Sequence, residues 1–275
     1  MKLFLILGIL SIFSGILACS LQNKTVAADV PVALPDAIKN NNPPKNKAPV
    51  LVELFTSEGC SSCPPADRVL IRLENEQPNT DAEIITLGLH VDYWNRLGWK
   101  DEFSSNLYSE RQNGYADKFN LNSIYTPQMV VDGQKEFVGS NFGTAQNAIS
   151  EAAKNQKAKV ELANGTDVKN PNPNLKVKIS DLPAHENSYV WLAIAEDNLQ
   201  TAVRRGENGG KTLPHTSVVR EMKLIGEINS IDKSFETAAD YQLQPNWKKK
   251  NLKFVVFVQG KNTKKVYGIN KKLLG

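Results

Sequence analysis

The stretch Val50-Leu-Val-Glu-Leu-Phe-Thr-Ser-Glu-Gly-Cys60-Ser-Ser-Cys63-Pro-Pro-Ala-Asp67 constrains this chain more than any other. A run rich in Val and Leu stops at Ser57-Glu58-Gly59, and two cysteines follow three positions apart. Beyond them Pro64-Pro65 opens a segment with Val69, Leu70 and Leu73 at helical spacing. The pattern predicts a strand over 49–56, a tight turn, and a helix over about 64–77. Proline suits the first helical turn, which has no use for its missing N–H. Two thiols three apart can close a small disulfide ring there. The unpaired N–H groups and dipole of the helix N-terminus favour thiolate over thiol. A thiolate near neutral pH is what thiol–disulfide exchange requires.

The cysteine count sharpens this reading. Of three cysteines, Cys19 ends an apolar segment, so Cys60 and Cys63 are the one pair in the body of the chain. The 275 residues are enough for two domains, and 41% hydrophobic with 23% charged residues is a globular composition. The formal charge of +4 falls to +3 without residues 1–18, which hold one Lys and no acid. Lysine clusters at 248–250 and 264–265 read as solvated faces, with lipid headgroups as the lesser alternative. No motif supports nucleic-acid binding.

Met1-Lys2 and the apolar run Leu3–Leu17 have the charge and length of a signal peptide, and fall short of the ~20 residues of a membrane span. Ile16-Leu17-Ala18-Cys19 resembles a bacterial lipobox, which implies cleavage before Cys19 and lipid on its thiol. The alternative is a plain secretory signal cut near Ala27 or Ala28. Both export the protein to a compartment where disulfides persist. Residues 19–48, with Pro31, Pro35 and Asn40-Asn-Asn-Pro-Pro44, read as a flexible tether.

The pattern from 49 to 157 then runs β-α-β-α-β-β-α. A second strand spans 83–91, and an aromatic, aperiodic excursion follows from Asp92 to Phe103. A helix capped near Ser104-Ser105 runs to about Phe119. Met129–Val131 and Glu136–Val138 flank an Asp132-Gly133 turn, and Asn141 caps a helix over about 142–156. From 158 to 275, short apolar or alternating runs separated by Asn, Pro and Gly suggest a β-sandwich.

That element order, with Cys60-Ser-Ser-Cys63 after the first strand and Thr126-Pro127 before the third, resembles the thioredoxin fold. The resemblance implies a cis Pro127 packed against the disulfide. Residues 49–275 more closely resemble DUF1223, a family of bacterial secreted thioredoxin-like proteins of unknown function. The matching residues are Glu53–Asp67, His90-Val-Asp-Tyr-Trp94, Tyr125-Thr-Pro-Gln128 and Arg205-Gly-Glu-Asn208, continuing through His215 to Val218-Val-Arg220. The expected fold is thus an α/β thioredoxin-like domain followed by an all-β sandwich-like domain. Leu54 stands where thioredoxins keep a buried acid, with Glu53 one position further from Cys60.

The function expected is an exported, lipid-anchored thiol–disulfide oxidoreductase acting on protein thiols, with neither cofactor nor metal. Its partners are protein thiols or disulfides, or a redox partner, in the cell envelope, and the membrane through Cys19. Cys60 attacks, Cys63 resolves the mixed disulfide, and Pro127 shapes a groove in which Thr126, Tyr125 and Trp94 meet substrate. Trp94, with Asp92, Tyr93 and Trp99, reads equally as filling between domains. Arg205, Glu207, His215 and Arg220 form a polar motif read either as a salt-bridged loop, Glu207 pairing Arg205 or Arg220, or as a surface facing the thiols. The rival function is a non-catalytic binding lipoprotein whose disulfide is a staple, worth on the order of 2 kcal/mol for so small a loop. A copper-binding thiol protein using His90 is a lesser reading, since His90, His185 and His215 are the only histidines.

Overall fold

The structure, a computed structural model, describes residues 47–167 and 170–274. The expected signal segment 1–18, the lipidation site Cys19 and nearly all of the tether lie outside the described residues. Strands β1 (Ala48–Thr56) and β2 (Ala82–His90) run parallel in unbroken register, Ala48 beside Ala82 and Thr56 beside His90, with helix α1 (Pro64–Glu76) between them. Neither strand alternates, because both faces are covered. In β1, Val50, Val52 and Leu54 pack under α1, while Leu51 and Phe55 face a second core.

Helix α2 (Asn106–Phe119) starts where Ser105 Oγ accepts from Leu107 N. Strands β3 (Gln128–Val131) and β4 (Lys135–Val138) follow, joined through Asp132 and Gly133, both at positive φ, with Gln134 N donating to Val131 O. Asn141 Oδ1 accepts from Thr144 N and opens helix α3 (Phe142–Ala152). The remaining strands are β5 (Lys159–Asp167), β6 (Asn170–Ser180), β7 (Ser188–Glu196), β8 (Leu199–Ala202), β9 (Thr212–His215), β10 (Val218–Ile228), β11 (Phe235–Asp240), β12 (Leu252–Gly260) and β13 (Val266–Leu273).

The expectation of an α/β thioredoxin-like domain followed by a sandwich is overturned. The described chain is mostly β, with three α-helices, and one mixed sheet of eight strands has the order β13-β12-β7-β10-β2-β1-β3-β4. Strands from either side of residue 157 therefore share a sheet. They also share a core: Leu51, Phe55, Leu87 and Leu89 cluster with Ala193, Met222, Val255 and Phe257 beneath α2. The physical reason is the outer edge of β2, an unpaired row of N–H and C=O groups that must be covered. β10 meets it at a single pair, Val218 beside Gly88, with Gly88 N donating to Ser217 O at 2.7 Å. The three-stranded sheet β11-β6-β5 covers the reverse face of β7 and β12, and β8-β9 form a separate hairpin.

A buried ionic network crosses the β2–β10 joint. Lys253 Nζ of β12 reaches Glu74 Oε1 of α1 (2.7 Å), Asp197 Oδ1 (3.1 Å) and Ser217 Oγ (2.8 Å), and Thr86 of β2 donates to Glu74 Oε2 at 2.7 Å. At the far end, Val266 N donates to Asp132 O, so the start of β13 meets the β3–β4 turn.

Candidate functional site

The sulfurs of Cys60 and Cys63 are bonded, with Cα atoms 5.4 Å apart. Cys63 is the N-cap of α1, and Pro64 and Pro65 occupy its first turn. Ser61 and Ser62 lie exposed between the cysteines, yet both cysteines are 0% exposed. Two other segments reach this turn directly. Trp94 packs so close that a Cβ on Gly59 would sit 3.4 Å from its Cβ. Its indole N–H donates to Thr126 Oγ1 at 2.8 Å, and the Thr126–Pro127 bond is cis. From the β8–β9 loop, Glu207 Oε2 accepts from Ser61 N at 2.9 Å, while buried Asn208 donates to the carbonyls of Glu58 and Cys60, both at 2.9 Å.

Below the disulfide lies a nest of buried ionisable groups: Glu58, Asp67, His90, Asp101 and His215. His90, the last residue of β2, has Nδ1 2.7 Å from Asp101 Oδ2. Asp101 also accepts from the amides of Glu58 and Phe103, both at 2.9 Å. Trp99 Nε1 donates to Glu58 Oε2 at 2.7 Å, and Thr56 Oγ1 to Asp67 Oδ1 at 2.9 Å. The rings of His90 and His215 meet edge to face at 5.1 Å, with Phe103 against both. His215 Nε2 stands 3.5 Å from Glu58 Oε1, and neither His215 nitrogen nor that oxygen has a hydrogen-bond partner among the described residues.

Burial dominates the electrostatics here. It pushes the Asp67 carboxyl up, against the opposing pull of His215 and His90. Burial would lower His90, but Asp101, with Asp67 and Glu58, outweighs it and raises the imidazole pKa. Asp101 goes the other way: burial raises it, yet His90 and the amides of Glu58 and Phe103 bring it below the usual carboxylate range.

The remaining sequence candidates divide. Pro127 is buried, its carbonyl accepting from Gly139 N, and Tyr125 spends its hydroxyl on Glu136 Oε2. Glu207 pairs with neither Arg205 nor Arg220; it turns to Ser61. Arg220 lies behind the nest, 3.4 Å from Glu196 and over the Phe103 ring, while Arg205 is exposed. Glu53 is on the other face of β1, held by Arg111 (2.6 Å) and Tyr115. Sequence reasoning gave no role to Glu58, Asp67, Asp101 or Asn208. Asp67, one helical turn beyond Cys63, carried a positional signal; Asp101, in an aperiodic stretch, carried none. Among the described residues no group of three or more His, Cys, Asp or Glu side chains is arranged to hold a metal.

Fold and site together define a mostly β protein with a shielded two-residue disulfide loop over a buried ionisable nest. The chain belongs to the family described as "Protein of unknown function (DUF1223)", whose model matches residues 51–259. A structural-genomics crystal structure of a protein from Agrobacterium tumefaciens is similar in fold: TM-score 0.64, 23% identity, over 82% of this chain and 94% of that one. A Bacteroides uniformis beta-glucuronidase structure aligns with 41% of this chain and 12% of its own at 10% identity and TM-score 0.21, too little to carry an argument. No curated protein matches the sequence.

Proposed function

We propose that the chain is an exported, lipid-anchored thiol–disulfide oxidoreductase whose Cys60–Cys63 pair exchanges with protein thiols of the cell envelope. The observation that carries this reading is the ionisable nest under the disulfide. Buried charges with unpartnered atoms cost stability, and a staple has no need of them. In the exchange, a substrate thiolate attacks Cys60 Sγ. The Sγ–Sγ bond breaks and its electron pair leaves on Cys63, which takes up a proton. A second substrate thiolate then attacks the substrate sulfur of the mixed disulfide and displaces Cys60 as thiolate. The substrate dithiol loses two electrons and the pair gains them; the reverse sequence reduces a substrate disulfide. Asp67, on the same face of α1 as Cys63 and raised in pKa by burial, is suited to exchange a proton with it. Access requires the covering side chains to move aside. The export signal and the Ala18-Cys19 junction support the anchor, and Cys19→Ser is expected to release the protein from membrane fractions.

The rival, a binding lipoprotein with a structural disulfide, draws on one observation: neither cysteine has exposed surface. Equilibration of the full chain in glutathione buffers separates the two. A potential above about −270 mV, with exchange onto a reporter dithiol that Cys60→Ser abolishes, supports the enzyme. A potential below about −300 mV with no exchange overturns it.

A further inference from the structure

The β8–β9 loop approaches the disulfide in a way that exchange chemistry alone does not require. Asn208 uses both amide hydrogens on the backbone flanking Gly59, and its Oδ1 accepts from Lys211 Nζ at 2.9 Å. Beside it Glu207 takes the N–H of Ser61, the amide that directly follows Cys60. Gly206, at φ +75, lets the loop come this close: a Cβ there would lie 3.3 Å from Trp99 Cβ. Unpaired amides leading into a helix N-terminus are the donors that favour a thiolate.

We infer that Glu207 is a positioning residue that holds down the acidity of the Cys60 thiol, by occupying the Ser61 amide and by placing a carboxylate beside it. The hydrogen bonds from Ser61 lower the Glu207 pKa, so the group is charged at neutral pH. The loop thereby tunes the pair: with Glu207 seated, the thiolate is disfavoured and the disulfide is the preferred state. This rests on the reading of Cys60 as the attacking thiol. The other ionisable groups around the loop are Arg204 and Arg205 on the loop itself, Glu58, Asp67, Asp101, His90 and His215 in the buried nest, and Arg68 and Lys211 on the adjoining cleft. All of them are retained when Glu207→Gln is compared with the parent, so the comparison isolates one charge.

The test is the pH profile of alkylation by iodoacetamide in full-length Cys63→Ser protein, with and without Glu207→Gln. Gln keeps an acceptor for Ser61 and removes the charge. The acid dissociation constant of Cys60 is expected to rise about threefold to tenfold, the size of a unit-charge interaction screened as in bulk water. The gain is expected to shrink in 1 M salt. Glu207→Ala, which also frees the Ser61 amide, is expected to raise it at least as far. A Glu207→Gln profile superimposable on the parent's, or displaced to higher pH, overturns the inference while leaving the exchange reading intact. A parent Cys60 that alkylates at no pH below about 9 overturns both. A purely structural role would alter stability but leave the midpoint in place.

Discussion

Lys253→Met removes the cation at the centre of the network that ties α1 to β10 and β12. Lys253 is fully buried, and its partners Glu74 and Asp197 are mostly so, with side chains 12% and 21% exposed. Deleting one partner of a buried ion pair costs about 3–5 kcal/mol, because the remaining charge loses its compensation. The partial exposure of both acids, and Lys271 Nζ remaining 3.6 Å from Glu74 Oε1, place this case near the low end, about 3 kcal/mol. For a body of this size that is a fall in Tm of roughly 6–12 °C. The loss depends on pH. Burial raises the Asp197 pKa, but Lys253 and the donors Ser217 and Thr216 bring it below the usual value. Its contribution is therefore present above the unfolded carboxylate pKa of about 3.9 and lost as pH falls through the lower folded value. The parent–variant difference is expected to be largest near pH 7 and to shrink toward pH 3. Urea denaturation followed by circular dichroism and by tryptophan fluorescence is the assay, since Trp94 and Trp99 report one half of the shared sheet and Trp191 and Trp247 the other. One coincident transition is expected in both proteins, with Glu74→Gln restoring part of the loss. A change below about 1 kcal/mol, or two separate transitions, would refute the argument that this network joins the halves.

Asn208→Ala removes the side-chain donor to the Glu58 carbonyl and leaves the Cys60 carbonyl with only the Cys63 amide. It is expected to cost about 2 kcal/mol and to speed reduction of the disulfide by dithiothreitol, read by thiol release. Asp101→Asn removes the partner of His90. The raised His90 pKa adds stability below the unfolded value of about 6.5 that is lost as pH rises through the folded value, and the lowered Asp101 pKa adds stability above about 3.9. Chemical denaturation at pH 5.5 and pH 9 is therefore expected to show the larger deficit at pH 5.5. Gly133→Ala puts a Cβ 1.9 Å from Lys264 O at a φ of +68, and is expected to lower Tm by several degrees. An unchanged melting curve would contradict the contact between the β3–β4 turn and the start of β13.

What could be read in the sequence was local. Ser105 and Asn141 cap helices because their side chains satisfy the first free amides, and Asp132-Gly133 turns because both residues tolerate positive φ. The short β8 and β9 and the polar β11, Phe-Glu-Thr-Ala-Ala-Asp, have too little periodicity to be seen as strands. Strand partnership was illegible for another reason. The runs at 83–91 and 217–225 show that each forms a strand, but nothing in either states that Gly88 lies beside Val218. A strand edge carries no side-chain signature of its partner, so a separate sandwich and a shared sheet are written with the same alternation.

The site follows the same logic. Cys60, Cys63 and Pro127 stand out as residue types, whereas the groups that enclose them arrive from far along the chain: Asp101 is 43 residues from Glu58, and Asn208 is 148 from Cys60. The shared sheet makes those approaches possible. The same β2–β10 contact that joins the two halves of the sheet fixes β9 and its preceding loop beside α1, which delivers His215 to Glu58 and Glu207 onto the Ser61 amide. Both the environment below the pair and the cover above it thus include groups from beyond residue 200. A fragment ending near residue 157 would keep both cysteines but lose Glu207, Asn208 and His215, and with them the features by which this disulfide differs from a simple clasp at the start of a helix.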